Sequence, residues 1–173
     1  FKSFEKEIII VDDCSKDNTP LIIQDLLLKF SEIKSIRHEK NYGKGAGINS
    51  GVKISTGDII LIQDADLEYN PEDYDSLLEP FLKTDADVVY GSRFLGGKYV
   101  RLSFFWHYVA NKLLTTLCNT FTNLNMTDME TGYKLFKSEA IKSIDLKEKS
   151  FGIEPEITVK LAKKNYNFYE VPI

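Results

Sequence analysis

The sequence predicts an α/β fold in which a mostly parallel central sheet is flanked by helices. Short apolar runs rich in β-branched residues, such as Ile8 to Val11, alternate with segments of helical spacing, such as residues 20–30. Runs of this kind that end in turn signals are typical of strands buried on both faces of a parallel sheet. Strands separated by helices are usually parallel neighbours, and such sheets bind ligands at the carboxyl ends of their strands.

Length and composition indicate one globular domain, residues 1–173. A net charge of −4 and the lack of a basic patch along the sequence argue against nucleic acid as a partner. The two cysteines lie far apart, so neither a disulfide framework nor a zinc site is indicated, and a cytoplasmic location is expected. The chain opens almost at once on an apolar strand and stops in mid-strand at Ile173, which predicts a domain truncated at both ends.

The first half of the chain contains three predicted strands and two predicted helices. The strand Ile8 to Val11 is followed by a polar cap and a first-turn proline at residues 18–20, which begin a helix that extends to about residue 30. Residues 35–38 form a short candidate strand. The glycine-rich turn 41–47 opens a second helix, and residues 58–63 form the next buried strand.

The second half continues the alternation and contains one strongly aromatic segment. The predicted elements are a helix at 70–82, a strand at 87–90, a long helix at 101–122, a strand at 133–136, a helix at 156–164 and a strand at 168–171. The long helix carries more apolar side chains than one buried stripe needs. It can pack wholly in the core or lie in a membrane interface, and both interpretations stay open.

Two aspartates follow the strand 58–63 and form the first candidate site. Asp64 and Asp66 share a face in extended geometry, and like charges this close are costly without a cation. Mg²⁺ or Mn²⁺ would relieve the repulsion, because hard cations bind carboxylates together with substrate phosphates, and Glu68 can add a third oxygen. The alternative is a turn of solvated acids that caps the next helix. A calcium loop is rejected because Tyr69 stands where that loop needs glycine.

Two further candidate sites precede these aspartates. Asp12 and Asp13 end the first strand and can accept hydrogen bonds from a base or ribose, although a helix cap or a receiver-type signalling domain would look the same. Lys44 lies in the turn 41–47, where a cation near a helix N-terminus can meet phosphate. The turn fits neither a P-loop nor a dinucleotide fingerprint, and a loop made only for packing is the alternative.

Arg93 and the turn 127–132 complete the candidates. Arg93 follows the strand 87–90 and either clamps a phosphate through two hydrogen bonds or is an ordinary surface arginine. Asp128 lies in the turn and either faces an acceptor or caps local structure. His38 and His107 have no partner motif, so both are taken as structural.

Six stretches, in this order and spacing, resemble inverting family 2 glycosyltransferases of the dolichyl-phosphate mannose synthase and polyprenyl-phosphate glycosyltransferase group. They are VDDCSKDNT, NYGKGAGINSG, QDADLEYNPEDY, YGSRF, TDMETGYKLF and EVPI, and the resemblance covers almost the whole chain. It implies a nucleotide-binding fold of the GT-A type, a UDP- or GDP-sugar donor and a divalent cation, with the family's first strand missing.

The resemblance also implies roles by position. The base and ribose would contact Val11 and Asp13, the metal and diphosphate would lie among residues 64–68, Arg93 would bind the donor, and Asp128 would lie at the acceptor side. Together with the residues above, the predicted sets are nucleotide-sugar binding by Val11, Asp12, Asp13, Lys44, Asp64, Ala65 and Arg93, metal binding by Asp64, Asp66 and Glu68, and catalysis by Asp66 and Asp128.

The implied reaction is one displacement at the anomeric carbon, with inversion, in which the metal takes up charge on the leaving nucleoside diphosphate. A polyprenyl or dolichyl phosphate acceptor is largely anionic at neutral pH and needs no strong base, since its second pKa is about 6. A saccharide or protein hydroxyl acceptor, for which Asp128 would take the proton, and a non-catalytic nucleotide-sugar-binding module are the alternatives. A lipid acceptor implies a membrane surface, approached from the cytoplasmic side, although no run reaches the roughly 20 apolar residues that span a bilayer.

Overall fold

The computed structural model describes residues 4–66, 68–96 and 104–173 of the chain. Its strands are β1 (Ile8–Asp12), β2 (Ile33–Arg37), β3 (Ile59–Ile62), β4 (Val88–Ser92), β5 (Lys134–Lys137) and β6 (Phe168–Pro172). Its helices are α1 (Thr19–Lys29), α2 (Lys44–Ile54), α3 (Tyr74–Lys83), α4 (Phe105–Thr122), α5 (Ser138–Lys142) and α6 (Ile153–Ala162). The predicted alternation is confirmed, and α5 is a short helix that the sequence pattern did not indicate. The predicted start of the long helix at Arg101 lies outside the described residues.

The sheet is mixed and lies in two parts. β1 pairs with β2 in parallel, from Ile8 opposite Ile33 to Asp12 opposite Arg37. The other part has the order β3-β5-β4-β6, in which β4 and β6 are parallel while β5 runs antiparallel to both of its neighbours. The predicted α/β class is confirmed, and most strands share one direction as predicted: β1 and β2 are parallel, β3, β4 and β6 run the same way, and β5 alone is reversed.

The reversed direction of β5 brings its first residues to the edge where β3 and β4 end. Lys134, the first residue of β5, is paired with Ile62 at the end of β3 and with Tyr90 in β4. Between α4 and β5, residues 123–133 return the chain to this edge. The turn 127–132 therefore lies at the carboxyl ends of β3 and β4, where sheets of this class bind their ligands.

Helix α2 connects the two parts of the sheet. It lies close to β1, because a Cβ added to Gly51 would be only 3.5 Å from the Val11 side chain. The same helix contributes Val52 to the main hydrophobic core, against which Ile48 and Ile60 also pack. Helix α2 thus positions β1 relative to β3, two strands that are not hydrogen-bonded to each other in the described part of the chain.

Helix α4 turns polar side chains inward and apolar ones outward. Its buried residues are Asn111, Thr115 and Cys118, whose spacing places them on one face. Large apolar side chains are exposed along it, namely Phe105, Trp106, Leu113, Leu114, Leu117 and Phe121. None of the helices described is both long and apolar enough to span a bilayer. This pattern is the reverse of an ordinary core helix and accounts for the surplus of apolar residues seen in the sequence.

Candidate active site

Asp64 lies two residues beyond β3, at the carboxyl edge of the sheet. The space around it is tight. A Cβ added to Gly132, in the turn before β5, would lie 2.9 Å from Asp64 Oδ2 and 2.6 Å from the ring of Tyr69. The Gly132 amide donates a hydrogen bond to the Tyr69 hydroxyl over 2.8 Å. Glycine at position 132 therefore allows the turn and the aspartate to meet.

Lys44, the first residue of α2, places its ammonium group beside Asp64. Nζ lies 3.0 Å from Asp64 Oδ2 and 2.9 Å from Oε1 of Glu154, which is in the first turn of α6. Burial alone would lower the pKa of Lys44, but hydrogen bonds to Glu154 and Asp64 outweigh burial and raise the pKa above its ordinary value. Lys44 is thus held in its charged form at the predicted place of the donor diphosphate.

The glycines beside Lys44 serve packing. Cβ atoms added to Gly43 and Gly45 would lie 2.3 Å from the carbonyl oxygens of Lys149 and Glu148. Gly43 also has a φ of 96°, a conformation that favours glycine. The packing interpretation therefore holds for these two glycines, while the lysine between them faces the carboxylates.

Asp13, which directly follows β1, binds the loop before α2 through hydrogen bonds. Its carboxylate accepts hydrogen bonds from the backbone amides of Tyr42 at 2.9 Å and Gly43 at 2.7 Å, and lies 2.6 Å from His38 Nδ1. Burial raises the pKa of Asp13, but these hydrogen bonds outweigh it and lower the pKa below its ordinary value. His38 has the structural role expected for it, since its ring also lies 2.9 Å from Ser50 Oγ.

Asp12 and Val11 are also engaged within the fold. Asp12 is buried, accepts a hydrogen bond from the Ser15 amide at 2.8 Å and forms an ion pair with Arg37 Nε at 3.3 Å. The hydrogen bonds from Ser15 lower the pKa of Asp12. Val11 packs towards Gly51 of α2. Their contacts to a base and ribose stay predictions.

Asp66, Ala65 and Glu68 lie on the exposed rim next to Asp64. Asp66 Oδ1 accepts a hydrogen bond from the Glu68 amide at 3.1 Å. No group of three or more acidic, cysteine or histidine side chains is arranged to hold a metal ion in the described part of the chain. The metal set of Asp64, Asp66 and Glu68 therefore stays a prediction, and Glu68 meets Asp66 through its backbone amide. The two aspartates still fit a hard cation that completes its shell with substrate phosphates, and Asp64 already accommodates the Lys44 ammonium.

Arg93 and Asp128 form an ion pair just beyond β4. Arg93 Nε lies 2.7 Å from Oδ2, Nη2 lies 2.9 Å from Oδ1, and the Arg93 amide adds a third bond at 3.2 Å. Asn111 of α4 donates a fourth at 2.9 Å to the fully buried Asp128. The hydrogen bonds to Asp128 raise the pKa of Arg93. With both oxygens occupied, Asp128 is poorly placed to take a proton, and its geometry instead favours a role in holding Arg93.

Glu154 and Lys134 belong to the same cluster, although sequence reasoning did not find them. Glu154 is 7% exposed, and its Oε2 has no hydrogen-bond partner among the described residues. Lys134 donates to the Thr131 carbonyl and lies 4.9 Å from the centre of the Tyr90 ring. Burial lowers the pKa of Lys134 to about 8, with Glu154 the strongest opposing charge. A lysine directly after the turn motif was a usable signal, whereas an acid in a first helical turn is ordinary.

The fold is that of GT-A transferases. The chain superposes on glucosyl-3-phosphoglycerate synthase from Mycobacterium tuberculosis, solved with Mn²⁺, UDP and phosphoglyceric acid, with a TM-score of 0.73 at 16% identity, over 96% of this chain and 57% of that one. It also superposes on a mannosyltransferase from Pyrobaculum calidifontis, solved with GDP-Man and Mn²⁺, with a TM-score of 0.65 at 17% identity, over 96% and 45% of the two chains. The predicted GT-A fold is confirmed.

Sequence comparison identifies the family. The family described as "Glycosyl transferase family 2" matches residues 2–145, and the chain belongs to it. The chain is 30% identical to a dolichol-phosphate mannosyltransferase of Pyrococcus furiosus, over 89% of this chain and 44% of that protein. It is 29% identical to a UDP-N-acetylglucosamine–dolichyl-phosphate N-acetylglucosaminyltransferase of Methanococcus voltae, over 96% of this chain and 73% of that protein. The chain thus spans less than half of the first relative and nearly three quarters of the second.

Proposed function

We propose that this chain is the catalytic domain of a glycosyltransferase that moves a hexose from a UDP- or GDP-sugar to a polyprenyl or dolichyl phosphate, with inversion at the anomeric carbon. Membership of the family and the names of the relatives support this class of reaction. The observation that carries the proposal is the aspartate pair, Asp64 and Asp66, at the carboxyl edge of the sheet, with a cationic side chain already held against Asp64.

The donor is assigned to this edge. Asp64 and Asp66 would hold Mg²⁺ or Mn²⁺, which supplies Lewis acidity to the leaving diphosphate. Lys44 adds a second positive charge beside the same phosphates. Arg93, whose side chain is 34% exposed and whose orientation Asp128 fixes, would bind a phosphate of the donor. The nucleoside would lie near the end of β1 and the rim, by Val11, Asp12, Asp13 and Ala65.

The ion pair of Asp128 favours an acceptor that is already ionised. A hydroxyl acceptor must lose a proton during attack, and the buried, fourfold hydrogen-bonded Asp128 is a poor recipient. A phosphate monoester carries most of its second charge at neutral pH, since its second pKa is about 6. The relatives whose names specify dolichol phosphate or dolichyl phosphate support the same choice.

Helix α4 is the part of the domain we assign to a membrane surface on the cytoplasmic side. Its inner face reaches the site, since Asn111 bonds to Asp128 and the ring of Tyr108 packs edge-on against Phe94 at 5.2 Å between centroids. Its outer face carries Trp106, which is 75% exposed, among further apolar side chains. Aromatic and aliphatic residues on one helix face bind at the boundary between headgroups and acyl chains. The helix would thereby bring a lipid phosphate to Arg93.

Calorimetry with UDP and with GDP, each with and without Mn²⁺, tests the donor site. Binding should depend on Mn²⁺ and be lost in Asp66→Ala with the fold retained, and the tighter nucleotide identifies the base. Asp25→Ala serves as the control, because Asp25 is an exposed helix residue that pairs with Lys29. Metal-independent binding, or unchanged affinity in Asp66→Ala, would contradict the proposal.

Tryptophan fluorescence tests the membrane assignment directly, because Trp106 is the single tryptophan in the sequence. Vesicles of phosphatidylcholine and phosphatidylglycerol should shift its emission to shorter wavelength. Replacing Phe105 and Phe121 with serine should weaken binding, whereas Phe151→Ser, a change at an equally exposed aromatic residue outside α4, should not. An unshifted spectrum with wild-type protein would refute this part of the proposal.

A further inference from the structure

Lys44 is shared between two acids, Asp64 and Glu154, that lie 90 residues apart in the chain. Its ammonium lies 3.0 Å from Asp64 Oδ2 and 2.9 Å from Glu154 Oε1, so one cation bridges the predicted metal ligand and a residue of α6. The side chains of Lys44 and Asp64 are 26% and 28% exposed, whereas that of Glu154 is only 9% exposed. The lysine therefore has an outer partner that a ligand can reach and an inner partner that is shielded from solvent.

Glu154 has an unused acceptor in this arrangement. Its Oε2 is buried and has no hydrogen-bond partner among the described residues. A buried carboxylate oxygen without a hydrogen-bond partner costs free energy of folding and is uncommon in folded proteins, which indicates a functional reason for it here. The helix N-terminus at Gly152 favours a negative charge here but does not supply this missing bond.

We propose that Lys44 is an exchangeable counter-cation and that Glu154 is the positioning residue that receives it. This inference rests on the proposed function. When a divalent ion binds Asp64, the ammonium gives up its bond to Asp64 and keeps its contact with Glu154, whose second oxygen takes the released hydrogen bond. Lys44 then stays in the site, charged and free to turn towards the donor diphosphate. Without ligand, the same lysine offsets the repulsion between the carboxylates.

The proposed movement of Lys44 from Asp64 to Glu154 predicts a pattern of Mn²⁺ affinities that independent effects of the two charges would not produce. Lys44→Met removes the competitor and should tighten Mn²⁺ binding in the absence of nucleotide by about two- to fivefold, the factor for an ion pair of limited burial. Glu154→Gln removes the receiving site and should weaken Mn²⁺ binding by a similar factor. When Lys44→Met is already present, adding Glu154→Gln should hardly change the Mn²⁺ affinity, because there is no Lys44 ammonium left for Glu154 to bind. Independent charges would instead give additive effects.

The experiment is a double-mutant cycle of Mn²⁺ affinity, measured by electron paramagnetic resonance of free Mn²⁺. Lys83→Met and Glu79→Gln form the matched control, because Lys83 and Glu79 are an exposed ion pair within α3. Additive effects, or no effect of either change at the site, would overturn the exchange. Wild-type protein that binds no nucleoside diphosphate with Mn²⁺ would instead refute the proposed function, so the two failures are distinguishable.

A measurement on unchanged protein covers the case in which a variant fails to fold. Mg²⁺ is diamagnetic and can be titrated into protein labelled with ¹⁵N at its lysines. The ammonium resonance of Lys44, assigned by its absence in Lys44→Met or Lys44→Arg, should move on saturation, while that of Lys83 should stay. A Lys44 resonance that does not respond to Mg²⁺ would overturn the exchange.

Discussion

Replacing Asp128 with alanine tests whether this residue positions Arg93 rather than takes a proton. The carboxylate accepts hydrogen bonds from Arg93 and Asn111 and is fully buried. Asn111 is 8% exposed, so its amide would lose a partner with little water to replace it, at a cost of about 1–3 kcal/mol. Arg93 is 34% exposed and can be partly rehydrated, so its lost bonds add about 1 kcal/mol. The free energy of unfolding should fall by about 2–4 kcal/mol.

Urea denaturation followed by circular dichroism measures this loss. Asp25→Ala is the control and should change the free energy of unfolding by less than about 0.5 kcal/mol, because the pair with Lys29 is exposed. Asp128→Asn should also be destabilised, since its amide nitrogen cannot accept the bonds from Arg93. An Asp128 variant with wild-type stability, wild-type donor affinity and abolished turnover would show that Asp128 acts as a base, and the reasoning would be wrong.

Three further changes test the site and its buried charge. Gly132→Ala should destabilise the domain by about 1–3 kcal/mol and weaken Mn²⁺-dependent nucleotide binding, because the added methyl would lie 2.6 Å from Tyr69 and 2.9 Å from Asp64. Thermal melts measure the stability and calorimetry the nucleotide affinity. An unaltered melting temperature and an unaltered affinity would contradict the packing described for Gly132. Tyr69→Phe leaves the Gly132 amide without its 2.8 Å acceptor and should cost about 1 kcal/mol in urea denaturation. The pKa of Lys134 is about 8 in the folded protein, against an ordinary value of 10.5. Between these two pH values the unfolded chain therefore binds more protons at Lys134 than the folded protein does. The contribution of Lys134 to the free energy of unfolding should rise with pH over this range. Denaturation of wild type and Lys134→Met at several pH values should show the wild type gaining on the variant between about pH 8 and 10.5, and a constant difference would refute the lowered pKa.

Elements with a strong local signal could be predicted from the sequence. The apolar runs at β1 and β3 are β-branched and are followed by acids, and the proline in the first turn of α1 marks the start of that helix, so local sequence was enough to predict these elements. Their predicted burial on both faces was wrong, because β3 is only partly buried and Ile8 at the start of β1 is 45% exposed. Asp64, Asp66 and Lys44 were found for the same reason, since the two aspartates follow β3 within four residues and Lys44 is the first residue of α2.

Features that depend on partners distant in the sequence could not be predicted. The antiparallel direction of β5 follows from the path of residues 123–133, which carry no periodic pattern. Glu154 joins the site through its ion pair with Lys44, and these two residues lie 110 positions apart in the chain. Asp128 was assigned to an acceptor because its turn was recognised, but its saturation by Arg93 and Asn111 is a property of the packed structure.

The most direct measurement is the position of Mn²⁺ in an anomalous difference map from crystals grown with Mn²⁺ and the nucleoside diphosphate that calorimetry selects. A single strong peak should lie within coordination distance of Asp64 or Asp66 and of the diphosphate oxygens, with the Lys44 ammonium moved off Asp64 towards Glu154. A nucleotide bound with no metal peak at the two aspartates, or a peak at some other group of the chain, would contradict the central claim.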